Sequence, residues 1–152
     1  MARRVLTLAL VVLAACAATA VADTFRGTRG NDTIVGTPGA DVISGLRGDD
    51  RLYGRGGADR INGGPGSDLV SGDAGNDRLA GGLGNDTILG GAGRDVITGG
   101  PGQDTIAGGV GPDVIRARDG ERDQVSCGPG LDRVVADAVD AVAGDCEAVD
   151  RG

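Results

Sequence analysis

The sequence contains no histidine, no lysine and no tryptophan, and only one phenylalanine and one tyrosine in 152 residues. Without histidine, Ser-His-Asp and Cys-His catalysis, the HExxH zinc site and imidazole metal sites are all excluded. Without lysine there is no GKS/T phosphate loop, so the glycine-rich runs do not cradle nucleotide phosphates. The shortage of aromatics leaves only small aliphatic side chains to build a core. Glycine is abundant, at 31 residues, but it returns at intervals of nine rather than three, which excludes a collagen triple helix.

Formal net charge is -7. An acidic surface repels nucleic acid phosphates and anionic lipid and attracts cations. With carboxylates and main-chain carbonyls as the available ligands, the expected partner is a hard cation rather than a soft transition metal. No nucleic acid and no small-molecule substrate is expected.

The first 22 residues, MARRVLTLALVVLAACAATAVA, join a basic start at Arg3 and Arg4 to an apolar run from Val5 to Ala15 and small residues beyond it. This is the pattern of a secretory signal, too short in its apolar part for a permanent membrane helix. Ala20-Val21-Ala22 places the mature start at Asp23. Alternatively, Leu13-Ala14-Ala15-Cys16 resembles the lipobox of bacterial lipoproteins, and a lipoprotein signal would end before Cys16 and anchor the chain to the cell surface. Both routes predict export, and both leave Cys127 and Cys146 as a pair in an oxidising compartment.

From Gly27 the chain divides into ten units of nine without insertion: GTRGNDTIV, GTPGADVIS, GLRGDDRLY, GRGGADRIN, GGPGSDLVS, GDAGNDRLA, GGLGNDTIL, GGAGRDVIT, GGPGQDTIA and GGVGPDVIR. Positions one and four are always Gly, position six is always Asp, and position eight is always Ile, Leu or Val. Positions seven to nine alternate as a short strand does, and the glycines ahead of them permit a tight reversal. A strand that buries one residue needs a covering layer and copies of itself on either side. Two units per coil supply both. Ile34, Leu52, Val70, Ile88 and Ile106 then face Ile43, Ile61, Leu79, Ile97 and Ile115, and residue i stacks on residue i+18.

That stacking places Asp32, Asp50, Asp68, Asp86 and Asp104 in one column and Asp41, Asp59, Asp77, Asp95 and Asp113 in another, at the ~4.8 Å spacing of paired strands. Two carboxylates about 5 Å apart repel by ~0.8 kcal/mol in water and ~3 kcal/mol at an effective dielectric near 20. Summed over both columns, this rivals the ~5 to 15 kcal/mol stability of a domain. A divalent cation between coils reverses the sign, with turn carbonyls completing its ligand shell.

GGLGNDTIL matches GGxGxDxUx, and the ten tandem copies resemble the RTX family, the haemolysin-type calcium-binding repeats. The resemblance implies an all-β fold, a right-handed parallel β-roll (β-solenoid) with two nonapeptides per coil over residues 23–116. It implies Ca2+ as cofactor, several ions in roughly eight inter-coil sites, and the position-six aspartates Asp32, Asp41, Asp50, Asp59, Asp68, Asp77, Asp86, Asp95, Asp104 and Asp113 as metal ligands. Position two is Gly in only five units, being Thr28, Thr37, Leu46, Arg55 or Asp73 elsewhere. Turns within residues 27–62 are therefore expected to bind less tightly.

Beyond Ile115 the register slips by one residue while the Asp-x-Val beat continues at Asp123, Asp132 and Asp140. Residues 117–152 are expected to form degenerate coils that close the solenoid. Cys127 and Cys146, one coil plus one residue apart, are placed to form a disulfide cap, and Phe25 is placed to cover the other end. The expected function is an exported, secreted calcium-binding repeat protein that folds as calcium enters and carries no catalytic domain. The alternative is a cell-surface or matrix adhesion module, with a partner of its own, whose calcium is only structural.

Overall fold

The structure, a computed structural model, describes residues 10–11 and 22–152. The expected export signal, with Cys16, lies outside the described residues except for Leu10, Val11 and Ala22. All regular structure among the described residues is β, and successive strands alternate between two parallel sheets of eight strands each. One sheet stacks Thr33–Val35, Arg51–Tyr53, Leu69–Ala74, Thr87–Ala92, Thr105–Val110, Gln124–Ser126 and Ala141–Val142, with Leu10–Val11 on its outer edge. The other stacks Thr24–Arg26, Val42–Ser44, Arg60–Pro65, Arg78–Leu83, Val96–Thr98, Val114–Arg116, Arg133–Ala136 and Ala148–Arg151. The chain is thus a β-solenoid of about 7 turns.

The predicted register is the observed one. Ile34 pairs with Leu52, Leu52 with Val70, Val70 with Ile88 and Ile88 with Ile106. Opposite them, Ile43, Ile61, Leu79, Ile97 and Ile115 form the second column. These side chains are buried and make one apolar cluster, joined at its first coil by Phe25. Each coil contributes one aliphatic residue per sheet, worth ~1.5 to 3 kcal/mol when fully buried. No single coil is stable alone, so stability accrues only by stacking.

The core does not stop at the last regular unit. Ile106 pairs with Val125 and Ile115 with Val134, and Ala117, Cys127 and Ala136 are buried in the same cluster. The extra residue of that coil is absorbed in the loop Arg118-Asp119-Gly120-Glu121-Arg122, where Gly120 takes a left-handed φ of 93° in open space. Side chains on both sides of the loop therefore keep their inward and outward faces. Cys127 and Cys146 form a disulfide with their α-carbons 5.2 Å apart. The Asp145 carboxylate accepts the amides of Gly128 at 2.9 Å and Cys127 at 3.3 Å, and these bonds hold it below the usual carboxylate range.

Candidate metal centre

Every position-six aspartate of the ten units is buried, and the strand register sets each one over the next. Their main-chain carbonyls accept from the following coil, as Asp32 does from Arg51 at 2.9 Å and Asp68 from Thr87 at 2.8 Å. Their side chains bind in the opposite sense. Oδ1 of Asp50 accepts the amide of Asp32 at 2.7 Å, Oδ1 of Asp68 that of Asp50 at 2.7 Å, and so on through Asp86 and Asp104. Asp59, Asp77, Asp95 and Asp113 do the same in the second column, beginning at the amide of Asp41. The ten aspartates predicted from the repeat thus lie in the two columns expected for them.

The columns also run further than the repeat. Asp123 accepts the amide of Asp104, and Asp132 that of Asp113, both at 2.8 Å. Both side chains are as deeply buried as those of the regular units. The surviving Asp-x-Val beat marks them in the sequence, but they stand outside the ten-unit register. Asp140 and Glu147 follow in the last coil, accepting the amides of Asp123 and Asp132 at 3.0 and 2.9 Å.

The second carboxylate oxygen distinguishes the members of each column. Oδ2 of Asp50, Asp59, Asp68, Asp77, Asp86, Asp95, Asp104 and Asp113, and of Asp123 and Asp132, is buried with no hydrogen-bond partner. A buried charge without a partner is costly, and a row of them is a strong indication of a missing counter-charge. Asp32 and Asp41 differ. Oδ2 of Asp32 accepts the amide of Thr28 at 2.5 Å and its hydroxyl at 3.0 Å, and Thr37 does the same for Asp41 at 2.6 and 3.1 Å.

Backbone conformation also separates Asp32 and Asp41 from the other eight position-six aspartates of the repeat. From the third unit on, position two takes a left-handed φ: 85° at Leu46, 77° at Arg55, 66° at Asp73, and 112° and 127° at Gly64 and Gly82. Thr28 and Thr37 do not adopt it; their hydroxyls instead accept the amides of Gly30 and Gly39. From the third unit on, position four requires glycine: a β-carbon on Gly84 would collide with the carbonyl oxygen of Gly66 one coil earlier, and one on Gly66 with that of Gly48. At position one, a β-carbon on Gly108 would stand 2.8 Å from Oδ2 of Asp113 and 2.7 Å from the Cys127 carbonyl oxygen. The glycine therefore leaves room where an orphaned carboxylate oxygen and a main-chain carbonyl oxygen of the next coil converge.

Burial raises the pKa of these carboxylates. Asp77, Asp86 and Asp123 are pushed to about 7, and Asp50, Asp59 and Asp113 to about 6. Asp68, Asp95 and Asp104 also rise. Loss of hydration is the largest cause, the accepted amide opposes it, and like charges in the same column add to it, as Asp104 and Asp68 do for Asp86. Buried anionic oxygens beside carbonyl oxygens, with no nitrogen or sulfur ligand in the columns, fit a hard divalent cation such as Ca2+.

A family model described as RTX calcium-binding nonapeptide repeat (4 copies) matches residues 18–52, 35–70, 53–88, 71–106, 80–115 and 98–121. The overlapping segments together run from 18 to 121, well over half of the chain. No curated protein is similar enough to the chain to count as a match.

Proposed function

The chain belongs to the family of RTX calcium-binding nonapeptide repeats, and from that premise we propose that it is an exported, non-catalytic protein whose solenoid forms as calcium binds. The observation that carries this reading is the row of buried Oδ2 oxygens without partners along the columns. In the unfolded chain those carboxylates are hydrated and far apart. Folding removes their water and stacks them at strand spacing, a cost that the small aliphatic core does not cover without help. Calcium, when bound, supplies the positive charge between coils and makes binding energy part of folding energy.

The position-six carboxylates from Asp50 to Asp113 would hold the ions, together with glycine carbonyls of the facing turns. Their Oδ1 atoms, engaged with the preceding amides, hold each carboxylate in a fixed orientation, so the ligand set is organised by the coil itself. Repeats of this family are typically found in secreted proteins, and the N-terminal segment supports export by either processing route. Folding would then follow export, because extracellular fluid is far richer in calcium than cytosol.

Circular dichroism of the full mature chain, with calcium and then with excess chelator, tests the proposal. The expected result is a β spectrum in calcium and a disordered one in chelator, reversible on adding calcium back. A β spectrum indifferent to chelator would overturn it.

A further inference from the structure

We propose that the cation-binding run is displaced toward the C-terminus: it begins at Asp50 and Asp59 rather than at Asp32 and Asp41, and continues through Asp123 and Asp132. The inference rests on the calcium reading above and concerns which carboxylates carry it.

At the N-terminal end the position of a cation is already taken by protein donors. Oδ2 of Asp32 and of Asp41 each receives an amide and a hydroxyl from the threonine four residues earlier. Each hydroxyl also accepts the amide of the turn's second glycine, so hydroxyl, amide and carboxylate form one closed network. A dication at either turn would have to displace those donors from Oδ2. Two threonine-closed turns thus complete the first coil without a metal.

At the C-terminal end the opposite holds. Asp123 and Asp132 are 0% and 1% exposed, and their Oδ2 atoms lack a partner. Their Oδ1 atoms bind the preceding amides at the same 2.8 Å as in the regular units. The coil beyond them offers two further carboxylates, Asp140 and Glu147, held on the Asp123 and Asp132 amides. Asp119 adds negative charge beside both Asp104 and Asp123. The run closes at Asp140, whose Oδ2 accepts the amide of Asp137 at 2.6 Å. Protein donors therefore finish both ends of the first column, and the unpartnered oxygens lie between them.

The test is calcium stoichiometry of the full mature chain, by native mass spectrometry and equilibrium dialysis, on single Asp→Asn variants. Asparagine keeps the Oδ1 acceptor and removes the charge. Asp86→Asn is the reference and is expected to lose at least one ion; if it loses none, the calcium reading itself fails. With that loss established, Asp123→Asn and Asp132→Asn should each lose at least one ion, and Asp32→Asn and Asp41→Asn none. Full occupancy in the first pair, or loss in the second, overturns the displacement. Crystals of the unaltered chain grown with terbium test it independently of any folding defect. Anomalous density beside Asp123 and Asp132 and none beside Asp32 and Asp41 supports the proposal, and the reverse pattern refutes it.

Discussion

The amide of Asp68 donates to Oδ1 of Asp86 at 2.8 Å across one coil, while Oδ2 of the same Asp86 side chain is buried without a partner. One carboxylate thus does two separable things: it ties coil to coil through a neutral acceptor function, and it presents a charge that the protein does not answer. Substitutions that keep one function and remove the other should therefore have opposite effects in the presence and absence of calcium.

Asp86→Asn keeps the acceptor and removes the charge. It should lower stability in calcium and raise it in chelator, where the column is relieved of one repulsive neighbour. Asp86→Ala removes both and strands the Asp68 amide, so it should be destabilising in either condition, by about 1 to 3 kcal/mol for the buried amide alone. Denaturant midpoints of the two variants in calcium, and the pH at which β content appears in chelator, check this. Equal behaviour of the two would show that the acceptor function is negligible.

Acidification should promote folding when calcium is withheld. The folded-state pKa values of Asp50, Asp59 and Asp113 at about 6, and of Asp77, Asp86 and Asp123 at about 7, lie above the 3.8 of an ordinary aspartate. Carboxylates raised on folding favour the folded state most below their unfolded pKa, and that contribution is lost as pH climbs through the folded values. In chelator, β content should therefore grow between neutrality and about pH 4.5. In calcium, protons compete for the same oxygens, so half-saturation should need more calcium as pH falls from 7 toward 5. Dichroism titrations at several pH values measure both trends. A chelated chain equally disordered at both ends of the range would contradict the first.

The disulfide ties together the coils that carry the C-terminal edge strands of the two sheets. Cys146→Ser should lower stability by ~3 kcal/mol in the chain-entropy model, with the loss confined to the last coils. Hydrogen exchange followed by mass spectrometry should show faster exchange beyond Cys127 and unchanged protection around Ile61 and Leu79. Uniform acceleration along the whole solenoid would show instead that the cap governs every coil.

Turn glycines should differ by position. Leu46 carries a left-handed φ of 85°, and Leu46→Gly should stabilise the calcium-bound form by about 1 kcal/mol through relief of that strain. Gly84→Ala places a β-carbon against the Gly66 carbonyl and should cost roughly 1 to 3 kcal/mol or more. Thermal unfolding in saturating calcium ranks the two. A neutral Gly84→Ala would show that the coils separate more easily than their hydrogen bonds suggest.

The nine-residue beat by itself determined which side chains are inside, which residues stack and that two acidic columns must result. Those are consequences of a strand period of two combined with a coil of eighteen residues, and Ile34 over Leu52 or Asp50 over Asp68 can be read from spacing alone. Only the tertiary structure decided which acidic oxygens are left unanswered. Thr28 and Thr37 look like ordinary departures at position two, and their closure of Asp32 and Asp41 depends on backbone torsions that one letter does not specify. Asp123 and Asp132 look displaced from the register, and their return to the columns depends on a surface loop that absorbs one residue before Val125. Spacing is set by covalent geometry that every copy shares, whereas hydrogen-bond satisfaction depends on the local path of each turn.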